Sequence, residues 1–290
     1  MKSRIDWTAY GFVAPALLIL ALAHAYPILK LCVLSVQETD VLRGTAHWCG
    51  LANFSGLLAD EHLWTSVRNT LVYSLGVVPG ILLVSLALAF ACQPFAARWQ
   101  RFMRAALYLP GVVSVVVTAM VWTRVYDPQF GLLNRTLAWL GVNGPTWLGD
   151  PRWALSAIVI MSIFTALGTP FILFLTAING VPKEYYEASE IDGAGPGRTF
   201  LAVTLPLIRP TLLYLLIILT IGSFQVFSAV YVMTEGGPNY ATFTAVYMVY
   251  EEAFRYFDFG RASALSVILM AALALLALAQ FRWLSSEVEY

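Results

Sequence analysis

Charge is what this 290-residue chain has least of. Asp, Glu, Lys and Arg make up 12% of it, against about 25% in ordinary soluble domains. Seventeen acids balance seventeen bases, so the basic footprint that holds nucleic acid is missing. Lysine is confined to Lys2, Lys30 and Lys183, none of which follows a glycine. A phosphate-cradling P-loop needs Gly-Lys-Ser/Thr, so nucleotide hydrolysis of that kind is excluded from this chain. His-Glu-x-x-His, Gly-x-Ser-x-Gly and any Cys/His cluster are equally absent. No metal site, no cofactor and no covalent chemistry is therefore expected. Cys32, Cys49 and Cys92 show no metal-ligand spacing, and two of them fall inside apolar runs. They read as buried, inert thiols rather than a disulfide framework.

What fills the chain instead is apolar: 59% of its residues are hydrophobic. Uncharged runs of about 20 residues read as membrane-spanning helices. Six are counted, roughly 10–36, 69–92, 105–124, 153–178, 211–233 and 262–283. The expected fold is an all-α integral membrane protein, a single transmembrane domain over 1–290 with no soluble domain and no clear repeat. Lys2 and Arg4 before the first run, with Ala21-Leu22-Ala23 and Ala23-His24-Ala25 inside it, resemble a cleavable signal. The apolar pattern continues past Pro27 to Val36, longer than a signal core, so it reads as a retained first span bent at Pro27. Pro79-Gly80, Pro110-Gly111 and Gly168 with Pro170 interrupt later spans. Such breaks are tolerated where the freed backbone faces protein or a cavity.

Arg98, Arg101 and Arg104 crowd the shortest connection, 94–104, which should therefore be cytoplasmic. The N-terminal tail and the 179–210 loop fall on the same side, and both termini end in the cytosol. Trp48, Trp64, Trp122, Tyr126, Trp147 and Trp153 lie near span ends on the other side, as expected of an interfacial aromatic belt.

The 179–210 loop is polar and lies between two spans. Pro182 suits the first turn of a helix, and Glu184 and Glu187 lie near its positive end. Tyr185, Ala188, Ser189 and Asp192 recur at helical spacing, giving one face with a small-residue centre that admits another backbone. Gly193 ends the helix by taking positive φ, followed by Ala194. Gly195-Pro196 starts a second short helix, which Phe200, Val203 and Leu205 anchor and Pro206 and Pro210 break.

Glu187, Ala188, Ser189, Ile191, Asp192, Gly193, Ala194, Phe200, Leu205, Pro206 and Pro210 together resemble the EAA loop of bacterial ABC importer permeases. Ser189 replaces the family's usual second alanine, small for small. The resemblance covers the whole chain. Leu51-Ala52-Asn53-Phe54, Asn69-Thr70, Leu109-Pro110, Asp127-Pro128, Phe130-Gly131-Leu132-Leu133-Asn134, Gly222-Ser223-Phe224-Gln225-Val226-Phe227 and Thr234-Glu235-Gly236-Gly237-Pro238 are similar to carbohydrate-type permeases. Within that group the chain is related to the maltose permease's larger subunit and resembles permeases for sugars and for sn-glycerol 3-phosphate. Ser228 stands where the family often has aspartate.

The resemblance implies a multi-pass protein of the bacterial inner membrane, acting as permease of a binding-protein-dependent sugar importer, with sn-glycerol 3-phosphate as the alternative substrate. It implies a second, homologous permease, an external solute-binding protein, and a separate ATPase dimer that holds ATP and Mg. Glu184, Tyr185, Glu187, Ala188, Ser189, Asp192, Gly193 and Ala194 would transmit ATPase closure through a coupling helix in the loop between spans four and five. Polar side chains within spans are the candidates for the substrate pathway: Gln225 first, then Ser228, Ser223, Thr220, Thr165 and Thr169. Gln225 and Ser228, three apart, should share a helical face, as should Thr165 and Thr169, four apart. The plain reading of each hydroxyl is helix–helix hydrogen bonding. An ion-coupled secondary transporter is less favoured, because every acid falls in a loop, a tail or a span end. A structural or sensory scaffold would leave the 179–210 loop unexplained.

Overall fold

The structure, a computed structural model, describes residues 7–40 and 44–284. The basic tail residues Lys2 and Arg4 lie outside the described residues. Apolar runs become helices because a helix satisfies every backbone N–H and C=O within its own segment. Three helices among the described residues are long and apolar enough to cross a bilayer unaided: Phe12–Leu34, Glu61–Cys92 and Phe259–Arg282. Three bent pairs raise the number to six if each pair is one span. They are Ala97–Val112 with Val115–Val125 (95°), Ala154–Ala166 with Gly168–Asn179 (49°), and Pro196–Leu207 with Arg209–Phe224 (70°).

Two of these bends fall where the sequence placed Pro and Gly. Beyond Pro110-Gly111 the chain turns extended at Val113 (ψ 139°). Pro170, which has no N–H to give, follows the break at Leu167. Pro79-Gly80 makes no break: the helix runs unbroken from Glu61 to Cys92. Gly80 instead leaves room for the Ile163 side chain, and Gly76 for Val159. At Pro27 the first span forms a π-turn, Ala21–Ala25, whose following N–H, that of Tyr26, reaches back to Ala21 O. The fifth span is shorter than expected. Its helix stops at Phe224, and a separate helix, Ser228–Met233, follows. The chain also departs from all-α by one antiparallel ribbon, Gln37–Asp40 paired with Thr45–Trp48. Cys32, Cys49 and Cys92 are all free, but only Cys92 is buried.

The described residues pack as two compact units, one combining residues up to Glu61 with Met248–Ala271, the other His62–Tyr247 with residues from Ala272 onward. In the first, Asn53 Nδ2 donates to Ser35 O (3.0 Å) and Gln37 O (2.9 Å). Gly260 packs so closely on Gln37 O and Asn53 that no side chain fits there. Arg261 Nη2 donates to Asp60 Oδ2 (2.7 Å) and Glu252 Oε1 (3.1 Å). In the second unit, Leu82, Leu86 and Ala89 of the Glu61–Cys92 helix pack with Phe171, Phe174 and Ile178. Asn69 Nδ2 donates to Tyr240 O (2.7 Å) and Phe243 O (3.1 Å), fixing the loop beyond Met233.

Candidate functional site

The 179–210 loop begins with Pro182 as the cap of helix Lys183–Ile191, one position ahead of the first turn. Gly193 takes φ +72°, and Ala194 N–H closes back onto Ser189 O at 3.0 Å. Nothing stands within 4 Å of a Cβ placed on Gly193, so its requirement is conformational rather than spatial. The face predicted from spacing is rotated. Ser189 is buried, and its hydroxyl lies 2.6 Å from that of Thr199. Glu184, Tyr185, Glu187, Ala188 and Asp192 are exposed, while Ala194 is half-buried. Ile191, 86% exposed, joins that outer face and was not singled out as a site residue. After the Gly195-Pro196 start, Pro196–Thr199 leads into a π-turn, Phe200–Thr204, then Leu205–Leu207. Phe200 anchors it edge-on against Phe90 at 4.8 Å. Pro206 does not break it; the 70° bend sits at Ile208. Asn179 Nδ2 donates to Gln100 Oε1 (3.2 Å), so this loop and the arginine-bearing 94–104 segment share one end of the unit.

The pathway candidates separate into three groups. Thr220 and Ser223 are buried and tie helices together. Thr220 accepts from Gln280 Nε2 (3.0 Å), and the Ser223 and Ser74 hydroxyls lie 2.9 Å apart. Gln225 is exposed but caps the end of helix Arg209–Phe224, and Ser228 opens the next helix, so the two do not share a helical face. Thr165 and Thr169 line a cavity of about 400 Å³ formed by the bends of the third and fourth spans. Tyr108, Thr118 and Tyr214 add hydroxyls to its wall, and none of its described lining residues is charged. The close approach at the bend depends on Gly168: a Cβ there would sit 2.5 Å from Tyr108 Cα and 2.6 Å from Leu107 O. Tyr108 and Tyr214 were missed because aromatics in apolar runs carry no signal of their own. The one available clue was Tyr108 lying just before Pro110-Gly111.

The aromatic belt is partly a core. Trp122, Tyr126, Trp147 and Trp153 pack ring on ring at 5.2, 5.7 and 5.6 Å. Tyr126, 1% exposed, donates its hydroxyl to Ala157 O at 2.8 Å. Trp48 and Trp64 are exposed, as a belt requires.

The model of the binding-protein-dependent transport system inner membrane component family matches residues 69–290. The sn-glycerol-3-phosphate transport system permease protein of Yersinia pestis bv. Antiqua (strain Antiqua) is 36% identical over 289 residues, covering 98% of this chain and 96% of that protein. The sulfoquinovosyl glycerol transport system permease protein of Agrobacterium fabrum (strain C58 / ATCC 33970) is 31% identical over 261 residues, covering 89% and 84%. A bacterial ABC transporter involved in the import of the acidic polysaccharide alginate has the same fold, with TM-score 0.82 at 21% identity over 98% and 97% of the two chains. Its complex with an alginate pentasaccharide-bound periplasmic protein gives TM-score 0.81, 21% identity and coverage of 96% and 93%.

Proposed function

Because the chain belongs to the family of binding-protein-dependent transport system inner membrane components, we propose that this ABC-type permease carries a sugar, a mono- to oligosaccharide, across the bacterial inner membrane through six spans with both termini in the cytosol. ATP hydrolysis, and the Mg it needs, belong to a separate ATPase dimer. A homologous second permease and an external solute-binding protein complete the importer. The coupling helix is Lys183–Ile191. Its exposed Glu184, Tyr185, Glu187, Ala188, Ile191 and Asp192 form the surface that the ATPase grips, and Gly193 sets the turn that holds it out.

The observation that carries the sugar reading is the uncharged wall of the 400 Å³ cavity. Tyr108, Tyr214, Thr118 and Thr169 offer hydroxyls that both donate and accept, and Thr165, whose proton goes to Met161 O, can still accept, matching a polyol. A phosphate would call for arginine or lysine. The second reading, sn-glycerol 3-phosphate, is favoured by the relative 36% identical to this chain. Uptake into vesicles holding the assembled importer and its matched binding protein decides between them. Saturable, ATP-dependent uptake of a sugar is expected. Uptake of sn-glycerol 3-phosphate but no sugar would replace the first reading by the second. Uptake of neither, or recovery of an active homodimer without ATPase, would overturn both.

A further inference from the structure

Beyond the third span the chain makes a turn that is locked from inside and apolar outside. Asp127 Oδ1 accepts the N–H groups of Gln129 (2.9 Å) and Phe130 (2.8 Å), and these bonds hold its carboxyl below the usual range. Asn134 Nδ2 donates to Pro128 O and Pro145 O, both at 3.2 Å, while its Oδ1 accepts from Trp147 Nε1 at 2.7 Å. Helix Leu132–Trp139 is thereby fixed in orientation. Leu132, Thr136 and Trp139 recur at helical spacing, and Leu140 follows them. Trp139 is 88% exposed, more than any residue of the expected belt, and Leu132 and Leu140 are largely exposed too. An apolar face held this firmly is not left in water.

We propose that helix Leu132–Trp139 is an interfacial anchor, lying in the lipid headgroup layer of the leaflet away from the coupling helix, with Trp139 as its membrane contact. Two observations choose lipid over a protein partner. Val117, Met120 and Val121, on the helix that leads into this turn, are apolar and exposed as well. Arg124 and Arg135, both exposed, flank it, which places cations where phosphodiesters lie and apolar rings where acyl chains begin.

The test is tryptophan emission of the assembled importer in nanodiscs, wild type against Trp139→Phe. Brominated phosphatidylcholine and aqueous iodide serve as quenchers. The wild type should show a bromolipid-quenched component that Trp139→Phe lacks, with iodide quenching equal in the two. A Trp139 component quenched by iodide and not by bromolipid would overturn the proposal, placing the face in water. A component shielded from both would overturn it too, placing a protein chain there.

Discussion

Arg261→Met removes a cation from a half-buried cluster of carboxylates, and the structure sets both the size and the pH dependence of the effect. The Arg261 side chain is 27% exposed and lies 2.7 Å from Asp60 (22%) and 3.1 Å from Glu252 (10%). Breaking a buried pair by removing one partner costs about 3–5 kcal/mol, because the other charge stays buried and unpaired. With a quarter of the guanidinium side chain still in contact with solvent, about 2–4 kcal/mol is the expected loss. Burial raises the Glu252 carboxyl above the usual range, and Arg261 is the main force pulling it back, against Asp258 and Asp60, which push it up. A raised carboxyl contributes stability that is present at low pH and is lost as pH rises through its folded value. Taking Arg261 away raises that value further. The deficit should therefore be large at about pH 7.5 and shrink toward about pH 5 as Glu252 takes up a proton. Thermal unfolding in nanodiscs should show a drop of about 5–10 °C at the higher pH. Arg261→Met with Glu252→Gln should recover part of it. Equal deficits at both pH values, with no recovery in the double variant, would refute the reasoning.

If helix Lys183–Ile191 couples to the ATPase as proposed, Gly193→Val should abolish ATP-driven uptake with little change in the melting temperature of the spans, since a β-branched residue resists the +72° φ that ends this helix. Ile191→Glu, at a side chain 86% exposed, should leave stability within about 0.5 kcal/mol and still lower uptake and ATPase co-elution. Unchanged co-elution would take Ile191 off the docking surface. Gly168→Ala drives a methyl to 2.5 Å from Tyr108 Cα, so overpacking of about 1–3 kcal/mol should appear in melting, with uptake reduced. Tyr126→Phe removes a buried 2.8 Å bond to Ala157 O, a carbonyl that keeps its partner within helix Ala154–Ala166, and denaturation should show a loss of about 1 kcal/mol.

Local signals in the sequence carried well, and those that depend on distant packing did not. The apolar runs, the bends at Pro110-Gly111 and Gly168/Pro170, and the Gly193 turn each depend on a few adjacent residues, so their spacing was enough. Ser189 was placed on the wrong side because its direction is set by Thr199, ten residues on and beyond the turn. Pro79-Gly80 reads as a break in sequence, but the helix runs on through it, and the contact of Ile163 with Gly80 comes from a residue far along the chain that spacing does not encode. The cluster of Asp60, Glu252 and Arg261 joins residues 201 positions apart, and in sequence its acids looked like ordinary loop charges.

The pathway residues teach a sharper lesson. A polar group in an apolar run must find a partner, and a short hydroxyl on a helix meets that need most readily within the protein. Thr220 bonds to Leu216 O, Ser223 to Thr220 O, and Thr165 to Met161 O. A solute path therefore cannot be traced by polarity alone. It is better traced where the bent helices leave an open volume, here the one lined by Thr118, Thr165 and Thr169. There the groups facing the open volume include the two tyrosines Tyr108 and Tyr214. A phenol projects its hydroxyl well beyond its own backbone, out of reach of the preceding turn's carbonyls that satisfy serine and threonine. Its O–H stays available to whatever enters.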